Sequence, residues 1–200
     1  MSSINVVRGS VVEMSTDAIV NAANNSLLGG GGVDGAIHAA AGPGLLEECY
    51  DLGGCDTGDA KITKGYNLKA KYVIHTVGPV YHGTGKDAQL LASCYRKCMD
   101  LAYEHKLHSI SICCNSTGVY GYPLQEASEI ATKTVRDWLV SHADADIDVY
   151  FCCFNDREYA IYQNLKLCAY GVANKYADPS LVPKEKDAWK KAVIEKYGKN

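Results

Sequence analysis

Apolar and polar positions follow two alternating patterns along this 200-residue chain. Short apolar runs, the length of buried strands, are separated by longer segments in which apolar residues recur at helical spacing. The runs predict strands at Ile4–Val7, Asp17–Ala23, Ala60–Thr63, Tyr72–Val77, Ser109–Cys114 and Asp148–Phe154. The periodic segments predict helices at Val33–Ala41, Leu45–Asp51, Lys86–His105, Gln125–Ser141 and Glu158–Cys168. Buried strands between helices favour an α/β sandwich with helices on both faces of the sheet.

The alternation ends before the last 30 residues of the chain. Asp178-Pro179 and Pro183 are typical of a linker, and Lys184–Tyr197 then has the spacing of an amphipathic helix. We expect this helix to pack back on the domain; a partner-binding helix and a frayed tail are the alternatives. The chain therefore divides into a domain at 1–170 and a linker with a helical extension at 171–200.

Composition and charge narrow the class of protein. Apolar residues make up 47% of the chain and charged residues 22%, which is typical of a globular protein with a real core. No apolar stretch is long enough for a membrane helix, and the N-terminus has no secretory pattern, so we expect a cytoplasmic protein without a membrane partner. The net charge of −3 gives no basic surface for direct nucleic-acid binding. An anionic ligand would have to be held by main-chain amides and helix ends.

Cysteines and histidines give no metal or disulfide pattern. The nine cysteines include two adjacent pairs within strands, and neighbours on a strand point to opposite faces. Cys94 and Cys98 share a helix face without a nearby histidine, so we expect reduced, packed thiols. His38 and His75 lack a nucleophile pattern and are interpreted as structural histidines with satisfied hydrogen bonds. We expect no metal and no cofactor.

Two glycine-rich segments carry the candidate chemistry. Residues 21–35 and 115–123 each follow a predicted strand and lead into a predicted helix, where α/β sheets bind ligands. Glycines let the backbone approach a phosphate, and helix N-termini offer free N–H groups. A match to the dinucleotide fingerprint, Gly30-x-Gly32-x-x-Gly35, is weak because six residues separate it from the strand and no acid ends a second strand. The Walker pattern is excluded by the residues that follow Gly85-Lys86 and Gly198-Lys199.

Three side chains in these segments suit a sugar or a water. Asp34 lies beside the predicted phosphate cradle, where a carboxylate can bind ribose hydroxyls or activate a water; a first-turn acid stabilised by the helix dipole is the alternative. Asn24 can donate and accept at a sugar hydroxyl, or it stabilises a turn. Tyr120 suits the wall of a sugar site, or it is a packed aromatic.

The motifs together resemble the MacroD-like branch of the macrodomain family. The segments A-I-V-N-A-A-N at 18–24, G-G-G-G-V-D-G-A-I-H at 29–38 and A-A-G-P at 40–43 carry the resemblance. V-I-H-T-V-G-P at 73–79 and S-T-G-V-Y-G-Y-P at 116–123 resemble the same branch, and bacterial O-acetyl-ADP-ribose deacetylases in particular. The resemblance covers roughly residues 4–168, and the joint occurrence of the motifs is highly specific.

The resemblance implies a three-layer α/β/α sandwich with a mixed, mostly parallel central sheet and an ADP-ribose site above the sheet. Asn24 and Asp34 fall on the residues that place the distal ribose and the attacking water, and they are the implied catalytic pair. The implied diphosphate and distal-ribose contacts are Gly31, Gly32, Val33, Asp34, Ser116, Thr117, Gly118, Val119 and Tyr120. Phe154 falls on the aromatic beside the adenine, where the Val11 amide is a further contact.

Two positions depart from the family pattern. Ser10 stands where relatives usually carry an aspartate that contacts the adenine amino group, and Asn115 stands where they carry an apolar residue. The implied function is hydrolysis of acyl esters on the distal ribose of ADP-ribose, either O-acetyl-ADP-ribose or ADP-ribose on protein Asp/Glu side chains. A non-catalytic reader of ADP-ribose, with ADP-ribosylated proteins as partners, is the alternative. An enzyme acting on ADP-ribose 1″-phosphate is the third hypothesis.

Overall fold

A six-stranded sheet forms the centre of the protein, for which the computed structural model describes residues 2–165. Its strands are β1 (Ile4–Arg8), β2 (Ala18–Ala22), β3 (Ala60–Lys64), β4 (Tyr72–Thr76), β5 (Ser109–Cys113) and β6 (Asp148–Cys153). The strand order is β1-β6-β5-β2-β4-β3. All neighbours are parallel except β3, which runs antiparallel to β4 at one edge.

Helices connect the strands. They are α1 (Gly32–Ala41), α2 (Pro43–Leu52), α3 (Gly85–Glu104), α4 (Leu124–Ser141) and α5, which begins at residue 156 and is described to residue 165. Gly42, with φ of +82°, separates α1 from α2. A 3-10 helix at Val11–Glu13 was not predicted, because three residues are too few to show a periodicity. The predicted domain boundary at 170, the end of the last predicted helix at 168 and the helix at Lys184–Tyr197 lie outside the described residues.

The helices cover both faces of the sheet, which confirms the predicted three-layer sandwich with a mixed, mostly parallel sheet. On β2, Ala18 and Val20 pack in the same apolar cluster as residues of α3, α4 and α5. Ile19, between them, packs in a second cluster with residues of α1 and α2. Successive side chains of a strand point to opposite faces of the sheet, so β2 is buried on both faces. No helix in the described part of the chain is long and apolar enough to cross a membrane.

The eight cysteines within residues 2–165 are free thiols, and seven of them are buried. Burial raises the pKa of the Cys49, Cys98 and Cys113 thiols, and that of Cys113 lies at about 12. A thiol with so high a pKa is protonated near neutral pH and is a poor nucleophile. The cysteines therefore behave as small apolar side chains in the core.

The N-terminus of α3 is closed by a capping box between Thr84 and Asp87. The Thr84 and His82 amides donate to the Asp87 carboxylate at 3.0 and 2.9 Å, and these hydrogen bonds hold the pKa of Asp87 below its usual value. A depressed folded-state pKa stabilises the protein above the unfolded-state pKa, and this contribution disappears as the pH falls through the folded-state value. The cap therefore contributes fully near neutral pH and is lost in acid.

We expect Asp87→Asn to lower the free energy of unfolding near neutral pH, and we expect this difference from wild type to shrink below about pH 4. Urea unfolding followed by tryptophan fluorescence measures the difference at each pH. Glu104→Gln, which removes a carboxylate from the other end of α3, is the matched control. A difference that stays constant down to about pH 3 would contradict the assignment.

Candidate functional site

The carboxyl ends of five parallel strands meet at one edge of the sheet. Two segments leave this edge on neighbouring strands: the glycine loop (residues 23–31) follows β2, and the second loop (residues 114–123) follows β5. The short turns after β1 and β6 lie beside them, because β6 is the other neighbour of β5. Ligands of open α/β sheets bind at such an edge, so the fold brings both predicted segments to the expected place.

The glycine loop is held by its own asparagine. Asn24 Oδ1 accepts hydrogen bonds from the Ser26 amide and hydroxyl at 3.0 and 2.6 Å. Its Nδ2 donates to the carbonyl of Gly29 at 2.9 Å. Asn24 therefore stabilises the turn, which was the alternative interpretation of this residue. The same side chain lies next to Asp34: a Cβ added to Gly30 would lie 3.3 Å from Asn24 Nδ2 and 3.1 Å from Asp34 Oδ2.

Asp34 lies in the first turn of α1, but its side chain does not cap the helix. It turns inward and is only 4% exposed. Oδ1 accepts a hydrogen bond from Asn21 Nδ2 at 2.7 Å, and Oδ2 has no hydrogen-bond partner among the described residues. Asp34 thus offers one engaged oxygen and one oxygen that faces Gly30 and Asn24.

Main-chain amides are the free donors of this edge. Gly31, the N-cap of α1, provides no side-chain cap, so the first amides of the helix, including those of Gly32 and Val33, have no partner within the helix. In the second loop, Tyr122 N donates to Ser116 O and Gly121 N to Gly118 O. Within residues 2–165, the amides of residues 117–120 donate to no protein group. Both segments therefore present unpaired N–H groups, as an anion site requires.

The second loop approaches the end of β4 closely. Ser116 has a φ of +63°, and a Cβ added to Gly78 would lie 2.0 Å from Ser116 Oγ, so only glycine fits at position 78. Tyr81 N donates to the carbonyl of Tyr120 at 2.9 Å, and the Thr117 hydroxyl donates to the carbonyl of Cys114. Asn115 is buried, and its Nδ2 has no partner among the described residues. The loop is thus fixed from both sides, while Gly118 and Val119 project outward.

The third part of the predicted site lies where β1 meets β6. Gly9 N donates to Cys153 O at 2.9 Å, so the pairing of β1 with β6 continues to the ends of both strands. Ser10 and Phe154, the next residue of each segment, therefore leave the sheet side by side. Phe154 is 77% exposed, and Glu158 accepts a hydrogen bond from its amide. Val11 is buried, and the side chain of Ser10 makes no cap hydrogen bond.

Exposed apolar side chains surround the strand edge. Val119 is 98% exposed, and Leu28, Val80 and Phe154 are also exposed, each in a different segment of the same edge. Large apolar side chains that cluster in solvent mark binding surfaces more often than chance. The edge therefore combines unpaired amides with apolar walls, which suits a ligand that has both phosphates and a ring.

The two histidines of the motifs have different environments. His75 is fully buried: Nδ1 lies 3.1 Å from Asn21 Nδ2, and Nε2 lies 2.9 Å from Thr63 Oγ1. The prediction of a satisfied structural histidine fits His75. It is wrong for His38, whose buried Nε2 has no hydrogen-bond partner within residues 2–165 and lies 3.6 Å from Asp34 Oδ1. His38 approaches Asp34 because the two residues lie four positions apart on α1, on the same face of the helix.

The structure brings together a cluster of three possible metal ligands, His38, Cys49 and His75, which the spacing of these residues in the sequence did not predict. Each offers one possible metal ligand, all within 4.8 Å of one another. Asn21 Nδ2 donates to both Asp34 and His75 Nδ1, so His75 carries its proton on Nε2 and has no lone pair there. Burial, with Glu48 and Asp34, raises the pKa of Cys49 to about 11. Both groups would have to release a proton before they could bind a metal ion.

The strand edge and its unpaired amides define an α/β domain with a candidate anion site at the carboxyl ends of its parallel strands. Residues 20–131 match the family model of the Macro domain. The chain belongs to the macro domain family.

Relatives and solved structures agree with this assignment. A Macro domain-containing protein of Chlorobaculum tepidum is 56% identical over 161 residues, 80% of this chain and 93% of that protein. The Rattus norvegicus ADP-ribose glycohydrolase MACROD1 is 52% identical over 80% of this chain, but the match spans only 63% of the rat protein. A Trypanosoma brucei macrodomain in complex with ADP-ribose has a TM-score of 0.76 at 50% identity, covering 81% of this chain and 68% of that one. An Oceanobacillus iheyensis macrodomain with ADP has a TM-score of 0.78 at 44% identity, covering 83% and 91%.

Proposed function

We propose that this protein is a hydrolase that removes acyl groups joined by an ester to the distal ribose of ADP-ribose. The observation that carries the proposal is that the side chains of Asn24 and Asp34 both lie next to Gly30, between two segments with unpaired amides. Solved relatives contain ADP or ADP-ribose, and curated relatives are named ADP-ribose glycohydrolases, which supports the ligand and the reaction class. The substrates would be O-acetyl-ADP-ribose and ADP-ribosylated aspartate or glutamate on proteins.

We assign the parts of the ligand to three regions of the strand edge: the glycine loop, the second loop and the ends of β1 and β6. The amides of Gly32, Val33 and residues 117–120 would bind the diphosphate. Phe154, with Ser10 and the Val11 amide, would hold the adenine at the β1 and β6 end. Tyr120 and Asn24 would hold the distal ribose, and the exposed Val119 would cover the bound ligand.

The reaction would begin with a water held by Asp34 Oδ2, the oxygen without a protein partner. The water oxygen would attack the acyl carbonyl while the carboxylate accepts a proton. The ester bond to the ribose oxygen would then break, and that oxygen would take a proton. The products would be a free carboxylic acid and ADP-ribose, with the aspartate returned to its starting state.

The test is release of ADP-ribose by the wild-type protein from O-acetyl-ADP-ribose and from a glutamate-ADP-ribosylated protein. Reaction in ¹⁸O-labelled water decides which bond breaks. Attack at the carbonyl puts the label in the released carboxylate, whereas attack at the ribose carbon, as the relatives' name glycohydrolase suggests, leaves the carboxylate unlabelled. Label-free carboxylate from both substrates would contradict the ester mechanism.

A reader module that binds ADP-ribose without cleaving it is the second candidate. The burial of Asp34 and the serine at position 10 favour it. Saturable ADP-ribose binding with no turnover of either substrate would support the reader. Thermal shifts with ADP-ribose, ADP, NAD and AMP would then rank the ligands, since the ligand that binds the folded state best stabilises it most. Under this outcome, Ser10→Asp would be the first variant to compare with wild type.

A further inference from the structure

Three buried polar side chains line up on the face of the sheet that α1 and α2 cover. Asn21 on β2 and His75 on β4 are paired in register, and Thr63 lies on β3, the next strand. All three are at most 2% exposed. Strand alternation puts them on this face, because Ile19 of β2 and Val73 of β4, each two residues earlier, pack in the α1 and α2 cluster.

Hydrogen bonds join these side chains into a chain that ends on Asp34. Asn21 Nδ2 lies 2.7 Å from Asp34 Oδ1 and 3.1 Å from His75 Nδ1. His75 Nε2 lies 2.9 Å from Thr63 Oγ1, and that hydroxyl donates to the carbonyl of Lys64 at 3.2 Å. An amide nitrogen has two N–H donors and no acceptor, so both partners of Asn21 must accept. The direction of every hydrogen bond in the chain is therefore fixed.

The direction of these hydrogen bonds determines which oxygen of Asp34 is free. The Asn21 donor engages Oδ1, and Oδ2 stays toward Gly30 and Asn24. A rotation of Asn21 by a half-turn would place its carbonyl 2.7 Å from the carboxylate, which is repulsive. A flipped Asn21 would also require His75 to carry its proton on Nδ1, and the Thr63 hydroxyl would then have to leave the carbonyl of Lys64 to donate to Nε2. Burial, with a smaller effect of His38, lowers the pKa of His75 to about 3, so the ring stays neutral near neutral pH.

We propose that Asn21 is a positioning residue for Asp34, and that His75 holds Asn21 in the orientation that this role requires. The role rests on the proposed function, since it concerns the carboxylate that would orient the attacking water. Asn21 touches neither the substrate nor the water. It acts by fixing the rotation of the Asp34 carboxylate, and a small error in the placement of a reacting group is enough to slow a reaction strongly.

The test compares Asn21→Leu, which keeps the size of the side chain but removes both donors, with wild type. We expect kcat for the ester substrate to fall about 10²-fold, while KM and the ADP-ribose Kd stay within about threefold. Thr16→Val is the matched control: it removes a buried hydroxyl that bonds Ala18 O and Ser111 Oγ on the same sheet. We expect this control to lose stability and to keep kcat.

A pair of His75 variants separates positioning from packing. The amide oxygen of His75→Asn can replace the Nδ1 acceptor, whereas His75→Leu cannot, although it fills more of the space. We expect His75→Asn to keep a kcat several-fold higher than that of His75→Leu, even where its melting temperature is lower. The ¹⁵N NMR spectrum of His75 reports the tautomer without any activity: Nε2–H in wild type, and a mixture of both tautomers in Asn21→Leu.

Each result has one meaning for the proposal. An active wild type with an equally active, folded Asn21→Leu overturns the positioning role alone. Parallel losses of kcat, ADP-ribose binding and stability make Asn21 a structural residue. An inactive wild type overturns the proposed function and this role together. A wild-type His75 that carries its proton on Nδ1 overturns the hydrogen-bond chain directly.

Discussion

Asp34→Asn is expected to lower turnover of the ester substrate by about 10³-fold and to leave the ADP-ribose Kd within about threefold of wild type. The amide can accept from Asn21 with its oxygen, so the fold and the contact at 2.7 Å are kept. Its nitrogen then replaces the free oxygen, and an amide nitrogen cannot take a proton from water. Chromatographic detection of released ADP-ribose gives kcat and KM, and calorimetry gives Kd.

Two further variants complete this experiment. Asp34→Ala removes the whole carboxylate and should lose turnover to the same extent. Asp137→Asn removes an exposed carboxylate paired with Lys133 on α4, far from the strand edge, and should keep full activity. If turnover and affinity of the Asp34 variants fall together while the fold stays intact, Asp34 is a binding residue and the proposed mechanism is wrong.

Gly35→Ala is expected to weaken ADP-ribose binding at least about tenfold, which corresponds to about 1.4 kcal/mol. Alanine is normally the better helix former by about 1 kcal/mol. Here its Cβ would lie 2.5 Å from the carbonyl oxygen of Gly30, which is main chain and cannot rotate away. The glycine loop must therefore shift, and the free amides that follow Gly30 shift with it. Overpacking of this kind also costs about 1–3 kcal/mol of stability.

Gly85→Ala is the matched control for this steric argument. Gly85 also lies in the first turn of a helix, α3, but a Cβ there would meet no atom within 4 Å. We expect this variant to keep wild-type affinity and to be as stable as wild type or more so. Isothermal calorimetry and thermal unfolding measure both quantities. Unchanged ADP-ribose affinity in a folded Gly35→Ala protein would show that the glycine loop does not hold the ligand.

The sequence predicted strands and helices well because their apolar patterns are long and distinct. The buried runs of β2, β4, β5 and β6 begin and end within one residue of the predicted bounds. The order of the strands could not be derived from periodicity, because it depends on contacts between residues far apart in the chain. The antiparallel direction of β3 was likewise not derivable from its five residues, and the mixed sheet entered only through the family resemblance.

The loops of the candidate site were predictable from the sequence, but the buried side chains that hydrogen-bond to Asp34 and to one another were not. Glycines and exposed polar residues between a strand and a helix give a local signal, and this signal identified the segments around Asp34 and Ser116. Asn21, Thr63 and His75 lie inside strands, where a polar residue gives no sign of its partner. Their contact depends on β2, β4 and β3 being neighbours. Cys49 and His38 join this group only because α1 and α2 cover the same face.

The pairing of β1 with β6 has a consequence for the order in which the protein takes shape during synthesis. Ile4 pairs with Val149, so β1 finds its partner only after the intervening residues 5–148 have been made. Contacts of such long sequence separation form late, because closing the intervening chain costs entropy. The β2, β4 and β3 side of the sheet has no such requirement. The end of the proposed ligand site at Ser10 and Phe154 is therefore completed last, and a nascent chain that stops before β6 has only half of the proposed site.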